Sequence, residues 1–441
     1  MTPEQAGSRG QPFTDFSPQL RTPVSDNLNR SNTGPICSMD IAQGFQSHSS
    51  TINCIDMHTV GEPTRIIYSG FPALPGPTLL DKRDQAQKYH DDIRKRLMLE
   101  PRGHNDMYGA ILISETELVQ SGEAHIGVLF THAGGFSTMC GHATIALGRF
   151  LVDTRDLNVF PKRNELVVSS EDGRKEVEVR LHAPCGIVKA RVPVIETPGG
   201  GVKSDSTRNV SFLSTPAYVA GLGIEVEIPE NIRWAELGIK KSIKVDISYG
   251  GAFYALVQAK DLGFEKGLAG DDTQMKAMAS AARTLKGLLS TCPPVTQALR
   301  RAEDERLSFL YSVMVVDLEL GHRPGNVEGT ETGVCFFGDR DQVDRSPTGS
   351  CVAARMALAH AKELRSIGQR WAYNSLVSNH FETGAFVATI VEENARVKGF
   401  EAEIWPAVVV RVEGNAFYVG AMTFVQEPGD ITSEAGFTLD I

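Results

Sequence analysis

STMCGHATIALGRFLV (137–152) and RSPTGSCVAARMALAH (345–360) align without a gap. In each, strand-like residues lead into a tight polar turn, then a glycine, then a helix of small residues. Cys140-Gly141-His142 falls on Thr348-Gly349-Ser350, Ala146 on Ala354 and Leu147 on Arg355. Small residues let neighbouring elements pack closely, so both helices are expected in the middle of a domain. Two copies of one pattern far apart in the chain imply two similar halves that face one another.

The segments around this repeat are mostly strands. INCIDMHT (52–59) and TRIIYSG (64–70) are β-leaning runs, and PTLLDKRDQAQKYHDDIRKRLMLE (77–100) has the spacing of one helix. HIGVLFTHAGGFS (125–137) is a strand ending in a Gly-Gly turn. Residues 164–197 alternate as short strands, and KVDISYGGAFYALVQAK (244–260) is a strand broken at Gly250-Gly251, with a helical stretch to about 288. LSFLYSVMVVDLEL and GVCFFG are strands, 349–366 is helical, and the last 60 residues return to strands. This predicts an α+β fold of mostly antiparallel sheets, not regular βαβ alternation.

The expected division is a polar tail over 1–50, a first half over 51–240 carrying the Cys140 helix, and a second half over 241–395 carrying the Thr348 helix. Strands close the chain over 396–441. The tail is rich in Ser, Pro, Gln, Asn and Gly and cannot bury much, so it is expected to be disordered.

Composition narrows the function. The chain has 441 residues, 41% hydrophobic and 22% charged, which is ordinary globular usage. Its net charge of −10 argues against nucleic acid or an anionic membrane as a partner. Seven cysteines, with no CxxC pair, read as free thiols of a reducing compartment. MTPEQAGSRG lacks the basic-then-apolar pattern of a secretory signal, and no apolar run approaches a membrane span, so a cytoplasmic protein is expected.

A helix start exposes unpaired N–H groups and the positive end of the dipole. Two such starts meeting in a cleft would hold a carboxylate. A cysteine there has a stabilised thiolate, with pKa values that can fall to about 3.5–7.5, so Cys140 is a candidate general base. Other readings have less support. His132, Cys140 and His142 lack a fourth metal ligand at sensible spacing. Cys140 and His142, two positions apart, are expected to point in different directions, which disfavours a cysteine hydrolase. ETPGGGVK and SYGGAF are neither a GxGxxG nor a P-loop.

DMHTVGEPTRII (56–67), RGHNDMYGA (102–110), STMCGHATIA (137–146), DISYGGAFYALV (246–257) and DRSPTGSCVAAR (344–355) resemble successive motifs of the proline racemase and hydroxyproline epimerase family. EGNAFYVGAMTFVQEPGD (413–430) resembles its closing strand pair. The resemblance implies two pseudo-symmetric halves, each a curved, mostly antiparallel sheet around a central helix, with the site in the cleft between them. This is the proline racemase and diaminopimelate epimerase-like fold. It also implies a homodimer, and closing strands that pack back on the first half.

Isomerases of this family use two cysteines, one on each face of the substrate α-carbon. Cys140 matches the first, and Thr348 stands at the second. An unassisted threonine hydroxyl is a very poor base at neutral pH, so two-base inversion should fail. The Cys/Thr variant resembles the family's trans-3-hydroxy-L-proline dehydratases. In that substrate the α-hydrogen and the 3-hydroxyl share a ring face. One thiol could remove the proton and then protonate the departing hydroxyl, giving Δ1-pyrroline-2-carboxylate without metal or organic cofactor. The resemblance further implies that Gly141, His142, Gly349 and Ser350 bind the carboxylate, that Asp344 pairs with the ring ammonium, and that Thr348 contacts the far face.

Several positions depart from the family pattern. Val60 stands where a second Gly is usual. HAGGFS lacks an Asn-Glu, with Phe136 at a common Tyr position, which bears on the pocket wall. Cys351 occupies a place often held by Gly. A second base supplied by Cys351 would restore an epimerase or racemase reading. A non-catalytic amino-acid-binding protein is the third reading, although a binder has no need of the Cys140 thiol.

Overall fold

The computed structural model describes Gly44 and residues 51–171, 173–300, 304–337, 342–398 and 404–439. The tail expected over 1–50 lies, apart from Gly44, outside the described residues.

The duplication governs the strand order. In the first half β1 (Ile52–Thr59), β2 (Glu62–Ser69), β3 (Tyr108–Ile113), β4 (Ile126–His132), β5 (Arg174–Ala183), β6 (Gly186–Glu196) and β7 (Val210–Leu213) pair in that sequence. The successive pairings run antiparallel, parallel, antiparallel, parallel, antiparallel, antiparallel. After β8 (Tyr218–Glu227) the second half repeats them with β9 (Ser242–Tyr249), β10 (Phe253–Gln258), β11 (Leu310–Asp317), β12 (Gly329–Phe336), β13 (Arg370–Asn374), β14 (Phe386–Lys398) and β15 (Ile404–Gly414). The orientations are the same six in the same order.

Antiparallel pairing of β7 with β15 joins the two sheets. β8 extends the second sheet beyond β9, and β16 (Phe417–Phe424) extends the first beyond β1. The closing strands therefore lie against β7 and β1, on strands of the first half.

Each sheet curls around one helix. α3 (Gly141–Asp153) is buried from Gly141 through Val152, on every side, as a helix wrapped by strands must be. α4 (Gly349–Ala361) is buried from Gly349 through Ala357. Small residues along both helices, such as Gly141, Ala143, Gly148, Gly349, Ala353 and Ala354, let the sheet approach closely. No helix among the described residues is long and apolar enough to cross a membrane.

Two local expectations need correction. Residues 77–100 form two helices, α1 (Leu79–Tyr89) and α2 (Asp91–Met98), separated by His90 at φ −135°, ψ 21°. Thr78 and Asp81 cap α1 reciprocally, while Asp91 and Asp92 in the first turn of α2 favour a fresh start. Phe136 does not form the pocket wall. It sits in an outer apolar cluster with Leu97, Met107 and Leu129. Strand alternation accounts for this, because Phe136 faces away while its neighbour Ser137 faces inward. At the other departure, Val60 and Gly61 both take positive φ (55° and 82°) between the paired Thr59 and Glu62. This is the two-residue hairpin turn whose twist suits antiparallel strands.

Candidate active site

The two helix starts meet backbone to backbone. A Cβ built on Gly141 would lie 2.5 Å from the Gly349 Cα, and one on Gly349 would lie 2.9 Å from the Gly141 Cα. No side chain fits at either position. Gly141→Ala should therefore force the halves apart at the seam, at a cost of about 1–3 kcal/mol. Thermal unfolding should report the lower stability, and steady-state assay a loss of turnover.

A small cavity of about 10 Å3, room for about one water, lies at this junction. Cys140 and Thr348 line it from the two helix caps, and Asp344, Gly141, His142, Gly349 and Ser350 all reach it. Every site residue read from the sequence is thus brought to one place. The first intrahelical bonds are donated by Thr144 and Val352. The N–H groups of Gly141, His142, Gly349 and Ser350 therefore precede both ladders, at the positive ends of both helices.

Cys140 has extended backbone (φ −142°, ψ 118°), and its sulfur accepts the Ala143 N–H at 3.4 Å. The expected low thiol pKa is not found. Burial pushes the Cys140 thiol well above its ordinary value. The Ala143 N–H and the Tyr108 hydroxyl pull it down, while the Asp344 and Glu62 carboxylates push it further up. One helix start does not outweigh the removal of water in a closed cleft. A thiolate base formed from such a thiol gains population as pH rises. The rate should therefore climb from neutral into the alkaline range, as a pH–rate profile would show.

The separation expected of Cys140 and His142 is also corrected. The sulfur lies 3.3 Å from Nδ1 and 3.5 Å from Nε2 of His142. The cap residue is not helical, so its side chain swings over the first turn and the angular offset of helical neighbours does not apply. Near-equal distances to both ring nitrogens place the sulfur off the line of either lone pair, so this is not the aligned pair of a cysteine hydrolase. Burial lowers the His142 pKa, which keeps its ring neutral. Among the described residues no group of three or more His, Cys, Asp or Glu is arranged to hold a metal ion.

Across the cavity, Thr348 takes φ +61°, an uncommon conformation for a β-branched residue. Its hydroxyl donates to Asp344 Oδ2 at 2.7 Å, and its N–H donates to Ser346 Oγ. Asp344 Oδ1 accepts the Ser346 N–H at 2.7 Å. The carboxylate is thus fixed and buried, and the hydroxyl proton is already committed to it. Cys351 does not reach the cavity. From α4 it packs with Tyr254, Met314 and Cys335, and burial pushes its thiol well up. Cys335 on β12 donates to the Ser312 hydroxyl at 3.0 Å, and burial pushes its thiol up to about 12.

Sequence reasoning missed the aromatic wall. Tyr108, Tyr254, Tyr311 and Phe337 line the cavity. Tyr108 packs edge-on against His142 at 4.7 Å, and Tyr311 lies 5.3 Å from Phe337. It also missed Glu62, which is buried on β2 and accepts the Arg345 N–H at 2.7 Å. The Arg345 guanidinium bonds Asp106 at 2.8 Å, so one residue of the second half is held twice by the first. Tyr108 and Tyr254 sit inside quoted motifs. The signal that could have found Tyr311 is the match of Met107-Tyr108-Gly109 to Leu310-Tyr311-Ser312 at the start of β3 and β11.

Two halves whose paired helix starts meet at a cavity make up the candidate site of an enzyme. The proline racemase family model matches residues 54–438, and the chain belongs to that family. It is 39% identical over 379 residues to the trans-L-3-hydroxyproline dehydratase of Mus musculus, covering 86% of this chain and 92% of that protein. It is 31% identical over 392 residues to the proline racemase of Acetoanaerobium sticklandii, covering 89% and 99%. Among solved structures, a hydroxyproline epimerase from Agrobacterium vitis with bound trans-4-hydroxy-L-proline shares the fold. Its TM-score is 0.67 at 20% identity, covering 88% of this chain and 95% of that one.

Proposed function

We propose that the protein is a hydro-lyase that converts trans-3-hydroxy-L-proline to Δ1-pyrroline-2-carboxylate, with Cys140 as its acid–base group. One observation carries the reading. The cavity has a thiol on one side, and on the other a hydroxyl whose proton is held by Asp344. Chemistry confined to one face suits dehydration and defeats inversion. The similarity to trans-3-hydroxyproline dehydratases supports the same substrate.

In this account the substrate carboxylate binds the N–H groups of Gly141 and His142 and of Gly349 and Ser350. Its ring ammonium pairs with Asp344, which orients the ring and acidifies the α-hydrogen. The cationic ring also offsets the carboxylates that raise the Cys140 thiol. The thiolate takes the α-proton, the C–H electron pair forms the Cα–C3 double bond, and the C3–O bond breaks. The Cys140 thiol returns its proton to the leaving oxygen. Water departs, and the enamine tautomerises to the cyclic imine. A five-membered ring needs more room than this cavity offers, so the site must widen to admit it.

The division into residues 51–240, 241–395 and 396–441 belongs to this proposal. β8, near the end of the first stretch, pairs antiparallel with β9 of the second. The cytoplasmic location rests on the sequence features alone. The homodimer rests on the family resemblance, and sedimentation equilibrium tests it.

The reaction is tested by incubation with trans-3-hydroxy-L-proline, then borohydride reduction. An imine product yields proline of both hands. Recovery of unchanged substrate would contradict the reading.

A further inference from the structure

The two halves repeat, and one place where the repeat fails leaves a hydroxyl unspent. Tyr108 begins β3 and Tyr311 occupies the matching place on β11, in the pattern Met-Tyr-Gly against Leu-Tyr-Ser. Both rings reach the cavity. Tyr108 shares a hydrogen bond with Ser137, three residues before Cys140. In the second half the residue three before Thr348 is Arg345, whose side chain turns away to Asp106. The hydroxyl that would complete the symmetry is missing.

Tyr311 shows the consequence. Its oxygen is buried close to the Tyr108 and Ser137 hydroxyls, which pull on its phenol, but neither contact reaches full hydrogen-bond geometry. Tyr254, the other cavity tyrosine of this half, is committed to Ser350 at 2.6 Å. A buried hydroxyl without a partner forfeits about 1–3 kcal/mol, and one that lines a cavity can recover it from a bound ligand. After burial, the Cys140 sulfur is the strongest influence on the Tyr311 phenol, and both keep it protonated, as a donor. A donor beside Cys140 lies on the ring face that carries both the α-hydrogen and the 3-hydroxyl.

We infer that Tyr311 is the residue that receives the substrate's 3-hydroxyl, donating a hydrogen bond to the leaving oxygen while Cys140 supplies the proton. This inference rests on the dehydratase reading and deepens it. The C3–O electron pair goes to the oxygen, the Cys140 thiol protonates it, and water leaves. Tyr311 keeps its own proton and lowers the charge that builds on the oxygen. It thereby selects a 3-hydroxylated ring over proline, which leaves the donor unpaired.

The test is Tyr311→Phe, which removes only the oxygen. Dehydration of trans-3-hydroxy-L-proline should fall by about 10- to 100-fold. Affinity for pyrrole-2-carboxylate, which has no 3-hydroxyl, should stay within about twofold. Thermal stability should hold or rise, because the lost oxygen had no partner. In a Cys140→Ser background, where turnover does not obscure binding, Tyr311→Phe should weaken trans-3-hydroxy-L-proline but not L-proline. Dehydration within about twofold of wild type would overturn the inference alone. So would equal loss of affinity for the 3-hydroxylated and unsubstituted rings, which marks a structural role. A wild-type protein that leaves trans-3-hydroxy-L-proline intact would overturn the dehydratase reading itself, and this inference with it.

Discussion

Replacing Cys140 by serine should reduce turnover by at least about 1,000-fold while leaving the binding of pyrrole-2-carboxylate intact. The two effects separate because Cys140 has two jobs. As the cap of α3 it accepts the Ala143 N–H, a role that serine fills as well or better. As a base it must lose a proton, and an alcohol does so far less readily than even a buried thiol. The fold and the carboxylate site therefore survive, and only proton transfer is lost. Isothermal titration with the planar ring analogue and an initial-rate assay on the same preparation check both halves of the expectation. A serine variant that kept its rate would remove Cys140 from the mechanism.

Thr348→Cys should give the protein a new reaction, slow inversion of L-proline. The wild-type hydroxyl is held by Asp344 at 2.7 Å and has no basic form at neutral pH. A thiol in its place faces Cys140 across the cavity, which supplies the acid and base on opposite faces that inversion needs. Acid–base groups contribute about 10²–10⁴-fold, so D-proline should accumulate at least about 100-fold faster than with wild type. Chiral chromatography of the reaction with L-proline measures it. Dehydration should persist, since Cys140 is untouched. Absence of inversion would mean that the second face is closed by more than the identity of residue 348.

Much of this was legible in the sequence because the chain was copied. The two capped helices carried the fold, since glycine and small residues at matched positions are required wherever two helix starts touch and each is wrapped by a sheet. The six matched pairings of each half follow from that one duplication, although strand order itself is not written in any local pattern. The candidate site residues lie on these same two turns, so finding the turns found them.

What stayed hidden was set by contacts between distant elements. The raised Cys140 thiol depends on how completely the halves exclude water, which no motif reports. The pocket-wall role suggested for Phe136 failed because strand alternation turned it outward. Tyr254 and Tyr311 reach the cavity from two different strands and Glu62 stands behind it on a third, and only the folded chain brings them together. His90 split an expected helix because its neighbours Asp91 and Asp92 start a new one. That is local chemistry which spacing of apolar residues overlooks.

The central claim is that this site does its chemistry on one face of the substrate. Proton NMR in D2O, with trans-3-hydroxy-L-proline, trans-4-hydroxy-L-proline and L-proline in turn, addresses it directly. The account predicts loss of the 3-hydroxylated substrate with formation of Δ1-pyrroline-2-carboxylate, and no inverted 4-hydroxyproline or proline. Inversion of either ring without dehydration would contradict it, and would require a second base that the Thr348 face does not supply.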